Sequence, residues 1–347
     1  MKSKRVLSMC MVLLMLALLL SGCNKPPEKQ EESATKSETG TTTRTDETIV
    51  LKLAHHNPID GAYDVSIKHF ANLVNQKTDG KVVIDIYPAA QLGGERDVLE
   101  GLKLGTIDMT LNTSALIMNL TPEFGLLDLP FLFEDYEHAR AGLEGEGGQM
   151  LADKLLEDHG IRMLASWCSG FRVMLTTHKE IKTLEDFKGL KMRAPETPVY
   201  IDMFVALGAN PTPIPFGEVY TALQTGVVEG VEVAAEPIYT SKFHEVGKYI
   251  TRTNHIFSTM CPLINEAKFQ SLSPDIQEAI LEAMVEATDF EWELFIESDA
   301  KAMQAMVDAG CILTEIDREP LSKACESVHA KYETEYNASE LLAKLKG

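Results

Sequence analysis

Hydrophobic and polar positions change period repeatedly along the 347-residue chain, and the changes mark an alternation of strands and helices. Residues 48–54 form an apolar run of strand length, while over 63–75 Val65, Ile67, Phe70, Ala71 and Val74 fall on helical spacing. A strand follows at 82–87, a helix at 96–104 and a strand at 107–111, joined by short turns as a parallel or mixed sheet requires. The alternation resumes with a strand over 161–166, a capping box from Thr183 to Asp186, a strand over 190–193 and a helix over 198–207. A strand at 210–212, a helix at 217–225 and a strand at 227–233 complete it. From Ser273-Pro274, an N-cap with proline in the first turn, a helical pattern free of glycine and proline runs through Ala309.

The first 47 residues follow neither period. Three positive charges within residues 1–5 precede an apolar run over 6–20 that is short for a membrane span, as in a signal peptide. Leu20-Ser21-Gly22-Cys23 resembles a lipobox, so residues 1–22 are expected to be removed and Cys23 lipidated, anchoring the chain to the outer face of a membrane. Residues 24–47 hold no aliphatic side chain larger than Ala34 and read as a disordered tether with an r.m.s. reach of roughly 25–30 Å.

Charge and cysteines narrow the setting. The formal net charge is −20, and loss of the three basic residues in 1–22 makes it −23, which argues against nucleic acid as a partner. Of six cysteines, Cys10 leaves with the leader and Cys23 is the lipid site. The spacing of Cys168, Cys261, Cys311 and Cys325 matches no zinc motif; an extracytoplasmic setting permits a disulfide, and buried free thiols are the plainer reading. About 300 ordered residues exceed what one core usually organises. Two α/β lobes are expected, 48–169 plus 259–298 and 170–258 plus 299–347.

Candidate chemistry concentrates in 189–230. Pro195 stops the strand over 190–193 and leaves Arg193 at its C-terminal end, where open α/β sheets bind ligands; a guanidinium there suits a carboxylate. The proline-paced segment Asn210-Pro211-Thr212-Pro213-Ile214-Pro215-Phe216 then delivers Phe216 to the mouth of a helix ended by Gly226.

These segments, with Gly170-Phe171-Arg172 and Val227-Val228-Glu229-Gly230, resemble the substrate-binding proteins of tripartite ATP-independent periplasmic (TRAP) transporters. The resemblance runs from about Ile49 onward and includes Gln91-Leu92-Gly93-Gly94-Glu95-Arg96, Leu129-Pro130-Phe131-Leu132-Phe133, Ser241-Lys242-Phe243-His244-Glu245-Val246 and Thr253-Asn254-His255, in the order the family has them. It implies a two-lobed periplasmic-binding-protein-like α/β fold with hinge strands and a long helix spanning both lobes. The function implied is a receptor that binds a small organic acid and delivers it to a membrane permease, without a cofactor.

Residue by residue, Arg193 matches the family's carboxylate-clamping arginine. Arg172 matches a second arginine nearby, for which a salt bridge between lobes is an equally physical role. Phe216 matches an aromatic that stacks over the ligand. Asn112, Thr113 and Ser114, together with His55, His56 and Asn57, lie where the family reaches the ligand from lobe one, and Trp167 lies at the cleft entrance of lobe two. Val233 stands where the family has asparagine, so an amide is exchanged for an apolar group. Glu236 either turns inward toward a ligand amine or hydroxyl or faces solvent, the ordinary place for a glutamate. Two other classes compete: a lipid-anchored enzyme, against which stands the lack of a Gly-x-Ser-x-Gly, His-Glu-x-x-His, Cys-x-x-Cys or phosphate-loop motif, and a metal-binding receptor using His55, His56 and Asp60.

Overall fold

The computed structural model describes residues 48–347; the expected leader, Cys23 and the tether lie outside the described residues. Two six-stranded sheets carry the fold. In the first, β1 (Ile49–Ala54) lies between β2 (Val82–Tyr87) and β3 (Met109–Thr113), both parallel to it. The connections are α1 (Ala62–Lys77) and α2 (Glu95–Lys103), giving successive βαβ units. The sheet continues through antiparallel β11 (Phe257–Asn265) to β4 (Ile161–Met163), and β5 (Trp167–Phe171) also pairs with β11. Around it lie α3 (Ser114–Ile117), α4 (Tyr136–Glu144), α5 (Glu146–His159) and α10 (Glu266–Gln270).

The second sheet has the order β12 (Ile312–Glu315), β10 (Tyr249–Arg252), β6 (Val173–Thr176), β9 (Gly230–Val233), β7 (Lys191–Ala194), β8 (Asn210–Pro213). Its helices are α6 (Pro198–Leu207), α7 (Val219–Gln224), α8 (Ala235–Thr240) and α9 (Phe243–Val246). Leu175, Val231 and Ile250 sit at its centre with no exposed surface.

Four connections join the halves, the last of them made by the C-terminal helices. The chain passes from β5 to β6 through Arg172 and returns from β10 to β11 through 253–256; the two passages run side by side, Arg172 N donating to the Ile256 carbonyl at 2.9 Å. The third is α11 (Pro274–Asp308), whose 35 residues span about 52 Å. Its Ile276, Ile280, Ala283 and Phe295 pack in the core of the first sheet, and its Ala302 and Met306 in that of the second. Gly170, at the start of the first passage, has φ +71°, and a methyl group there would come within 2.8 Å of the Phe295 ring, so both backbone and space require glycine.

The observed elements depart from the pattern in three ways. Five strands, β5, β6, β10, β11 and β12, are absent from it; in the nine-residue β11, Pro262 interrupts a run with no polar alternation and argues against a central strand, and the structure accommodates it by using the Pro262 carbonyl, which accepts from Leu164 N at 2.9 Å. The strands expected at 107–111, 161–166 and 227–233 are Met109–Thr113, Ile161–Met163 and Gly230–Val233. The C-terminal helices do not stay with the second half: Leu321 and Cys325 of α12 (Glu319–Glu335) pack beside Tyr200 of α6. Val328 and Tyr332, with Leu341, Leu342 and Leu345 of α13 (Ser339–Lys346), complete the first core. Gly142 permits that return, since a methyl group there would collide with the Leu345 carbonyl. Cys168, Cys261, Cys311 and Cys325 are free and buried.

Gly170→Ala is expected to lower the unfolding free energy by roughly 1–3 kcal/mol, because it combines left-handed backbone with overpacking against Phe295. Urea unfolding checks this, and an unchanged midpoint contradicts it.

Candidate functional site

The C-terminal ends of strands from both sheets converge on one chamber. His56 and Asn57 follow β1 and Thr113 ends β3; Arg193 lies near the end of β7, Val233 ends β9, and Phe216 follows β8. Arg172 enters from the passage between sheets, and Tyr63, Glu95, Ser169 and Met260 complete the wall. The chamber and its opening to solvent comprise about 470 Å³ of atom-free space. Residues of both halves line it together. His56, Glu95, Leu116, Arg193 and Phe216 also border a wider mouth of about 990 Å³, so the chamber leads outward past them.

Its electrostatics follow from two buried arginines and one carboxylate committed to the first of them. Arg172 grips Glu232 through two parallel bonds, Nε to Oε2 and Nη2 to Oε1 at 2.8 Å, and Nη2 also donates to the Glu232 carbonyl at 2.7 Å. Burial opposes both charges, yet Arg172 and a nearby His255, its Nε2 3.4 Å away, hold Glu232 below the usual carboxylate range. Arg193 has no such partner: its Nε donates to the Ile214 carbonyl at 2.9 Å, and among the described residues no carboxylate lies within ion-pair distance of it. Burial draws its pKa down to about 10, with Arg172 acting in the same direction and Glu232 and Glu95 opposing, so it stays charged at neutral pH.

On the facing wall Glu95 is fixed rather than free. Its Oε1 accepts from Thr113 N at 2.5 Å and Thr113 Oγ1 at 2.7 Å, while Oε2 lies 3.8 Å from His56 Nε2. His56 meets Phe216 edge to face with centroids 5.6 Å apart, and Tyr63 donates to Ser169 Oγ at 2.7 Å.

Of the residues singled out from sequence, Arg193, Arg172, Phe216, Val233, Thr113, His56 and Asn57 line the chamber. The rest stand elsewhere. Asn112 precedes Thr113 in β3 and therefore points to the opposite face, donating to the Glu95 carbonyl at 2.9 Å. Ser114 donates to Asp128 at 2.9 Å, sharing that carboxylate with Tyr200; burial raises Asp128 to about 6. Trp167 is not at a cleft entrance: it sits in the first core, its Nε1 donating to Thr288 of α11 at 3.0 Å. Glu236 is neither exposed nor in the chamber, since its Oε1 accepts from Ala62 N at 2.9 Å. Arg172, in the passage leading into β6, pairs with Glu232 of β9, so its salt bridge lies within the second half rather than between halves.

The metal donors do not converge. His55 bonds Asp64, and burial lowers it to about 4; His56 faces Glu95, and Asp60 pairs with Lys68. No group of three or more His, Cys, Asp or Glu side chains is placed to hold a metal among the described residues. Sequence reasoning missed Glu95, Tyr63 and Ser169 as wall residues. For Glu95 a local signal existed: Gly93 and Gly94, opening a helix beside it, bring backbone close to the site.

The family profile described as bacterial extracellular solute-binding protein, family 7, matches residues 54–335. The chain is 35% identical over 275 residues to the 2,3-diketo-L-gulonate-binding periplasmic protein of Escherichia coli (strain K12), covering 79% of this chain and 84% of that one. It is 37% identical over 265 residues to the C4-dicarboxylate-binding periplasmic protein DctP of Rhodobacter capsulatus, covering 76% and 79%. Among solved structures, a TRAP periplasmic solute-binding protein of Polaromonas with bound D-erythronate superposes with a TM-score of 0.83 at 32% identity, covering 86% of this chain and 98% of that one.

Glu232→Gln is expected to cost about 3–5 kcal/mol of unfolding free energy, since it strands Arg172 as a buried, unpaired charge beside Arg193. A thermal or urea midpoint within error of the parent contradicts the pairing described.

Proposed function

The chain belongs to the bacterial extracellular solute-binding proteins of family 7, and on that premise we propose that it is the receptor of a TRAP-type transporter for a polyhydroxylated monocarboxylic acid. The observation that carries this is the buried Arg193 guanidinium, charged and without a carboxylate partner among the described residues, facing a chamber whose other wall holds Glu95. A ligand carboxylate supplies the missing charge through a directional two-bond pair that lysine cannot reproduce. Glu95, anchored by Thr113, then accepts hydrogen bonds from the ligand's hydroxyls, and a second ligand carboxylate would meet it as a like charge costing several kcal/mol. Phe216 and Val233 offer apolar surface to the carbon chain; Val233 donates nothing, so oxygen is not favoured against that wall.

This reading sides with the sugar-acid relatives over the dicarboxylate one. The paired passages and α11 supply a hinge about which the lobes close on the acid, and the closed receptor passes it to the membrane subunits. Leu20-Ser21-Gly22-Cys23 supports lipidation at Cys23, with 24–47 as the tether that lets the receptor reach those subunits.

Calorimetry with aldonates, D-erythronate among them, against succinate and malate is expected to give binding for the hydroxy monoacids and none for the dicarboxylates. Arg193→Lys is expected to weaken the bound acid by about 2–5 kcal/mol. Preference for succinate, or unchanged affinity in Arg193→Lys, overturns the assignment.

For the anchor, Cys23→Ser is expected to move the protein from the membrane fraction to the soluble fraction. Retention in the membrane fraction contradicts lipidation at that position.

A further inference from the structure

The two halves also meet outside the chamber, where a buried carboxylate of one reaches the backbone of the other. Glu236 lies in the first turn of α8, whose Ala235 and Ile238 belong to the core of the second sheet, and it is 4% exposed. Its Oε1 accepts from the amide of Ala62, the first residue of α1, at 2.9 Å. Ala62 and Tyr63 belong to the core of the first sheet. Gly61, the N-cap of α1, has no side chain to supply this acceptor, and a methyl group there would come within 3.3 Å of Glu236 Oε1. The cap therefore arrives from 174 residues away. Glu236 is itself held from behind: Asp299 of α11 accepts from its amide at 2.8 Å. Its neighbours Tyr63 and Pro237 line the ligand chamber, whereas Glu236 does not.

We propose that Glu236 is a latch between the lobes: it caps α1 only when they are closed, and so sets the open–closed balance, and with it ligand affinity, without touching the ligand. The proposal rests on hinge closure, but not on which acid is bound.

A pH dependence follows from the surroundings. Facing Glu236 are Asp299 and Glu291 from α11, Tyr63 from α1, and Asp60 and Lys301 at the rim of the adjoining groove. Burial, with Asp299 adding to it against the Ala62 hydrogen bond, raises the Glu236 carboxyl to about 7. Opening returns it to water and to the ordinary carboxylate range, so the closed form holds the proton more tightly than the open form. Closure is thus favoured at low pH and weakens as pH rises through about 7, while the neutral carboxyl keeps its carbonyl oxygen as acceptor for Ala62.

The test uses ligand-free protein with spin labels at Lys103→Cys in the first lobe and Glu218→Cys in the second, both exposed, with distances read at pH 5.5 and 8. The parent is expected to shift toward longer distances at pH 8. Glu236→Ala is expected to sit at the longer distances at both values, with about tenfold weaker binding across the aldonate panel and no change in rank order. Glu236→Gln, which keeps the acceptor and cannot ionise, is expected to match the parent at pH 5.5 and to stay there at pH 8. Distances in Glu236→Ala equal to the parent, an altered rank order, or a parent-like pH shift in Glu236→Gln overturns the latch. Should Glu236→Ala fail to fold, the pH response of Glu236→Gln decides alone. Loss of binding in Arg193→Lys with unaltered distances in Glu236→Ala refutes the latch and leaves the receptor assignment intact.

Discussion

Two arginines and one committed carboxylate, sealed together between two sheets, set the terms for everything else in this molecule. Burying an ion is expensive unless it is paired and hydrogen-bonded. Arg172 meets that demand fully: Glu232 takes two of its donors, and the backbone on either side of it ties the passages between sheets together. The same arrangement leaves Arg193 with a backbone carbonyl and the distant fields of Glu232 and Glu95. A charge kept in that condition is a standing preference for an anion, and the sheet geometry that places it at a strand end also opens the space where the anion fits.

The mechanical consequence is that ligand and hinge share parts. Arg172 lines the chamber and is also the residue through which the chain crosses from one sheet to the other. Tyr63 lines the same chamber one residue beyond the amide that Glu236 caps. In the closure we propose, the wall assembles around the ligand and a helix terminus is completed in the same motion, so that affinity depends on contacts the ligand never makes.

The sequence was most legible where a residue type admits one conformation. Pro195 ended β7 beside Arg193, the prolines of 211–215 aimed Phe216, and the absence of glycine and proline marked α11 to within a residue of its ends. It was least legible where tertiary context decides. Pro262 spoke against the longest strand, and a capping partner for α1 lay 174 residues distant. In Asn112-Thr113-Ser114 the polar types are alike, but the pleat turns only Thr113 inward, a fact set by register against β11 and invisible in composition. Trp167 was misplaced because an indole suits a cleft rim and a core equally well; a partner on α11, Thr288, settled it.

A crystal structure of the complex with the acid retained through native purification tests the central claim most directly. The account predicts a single ligand carboxylate on the two terminal nitrogens of Arg193, at about 2.7–2.9 Å, with ligand hydroxyls on Glu95 and Arg172 still gripping Glu232. A ligand whose carboxylate lies away from Arg193, or one that draws Glu232 off Arg172 to meet an amine, would contradict it.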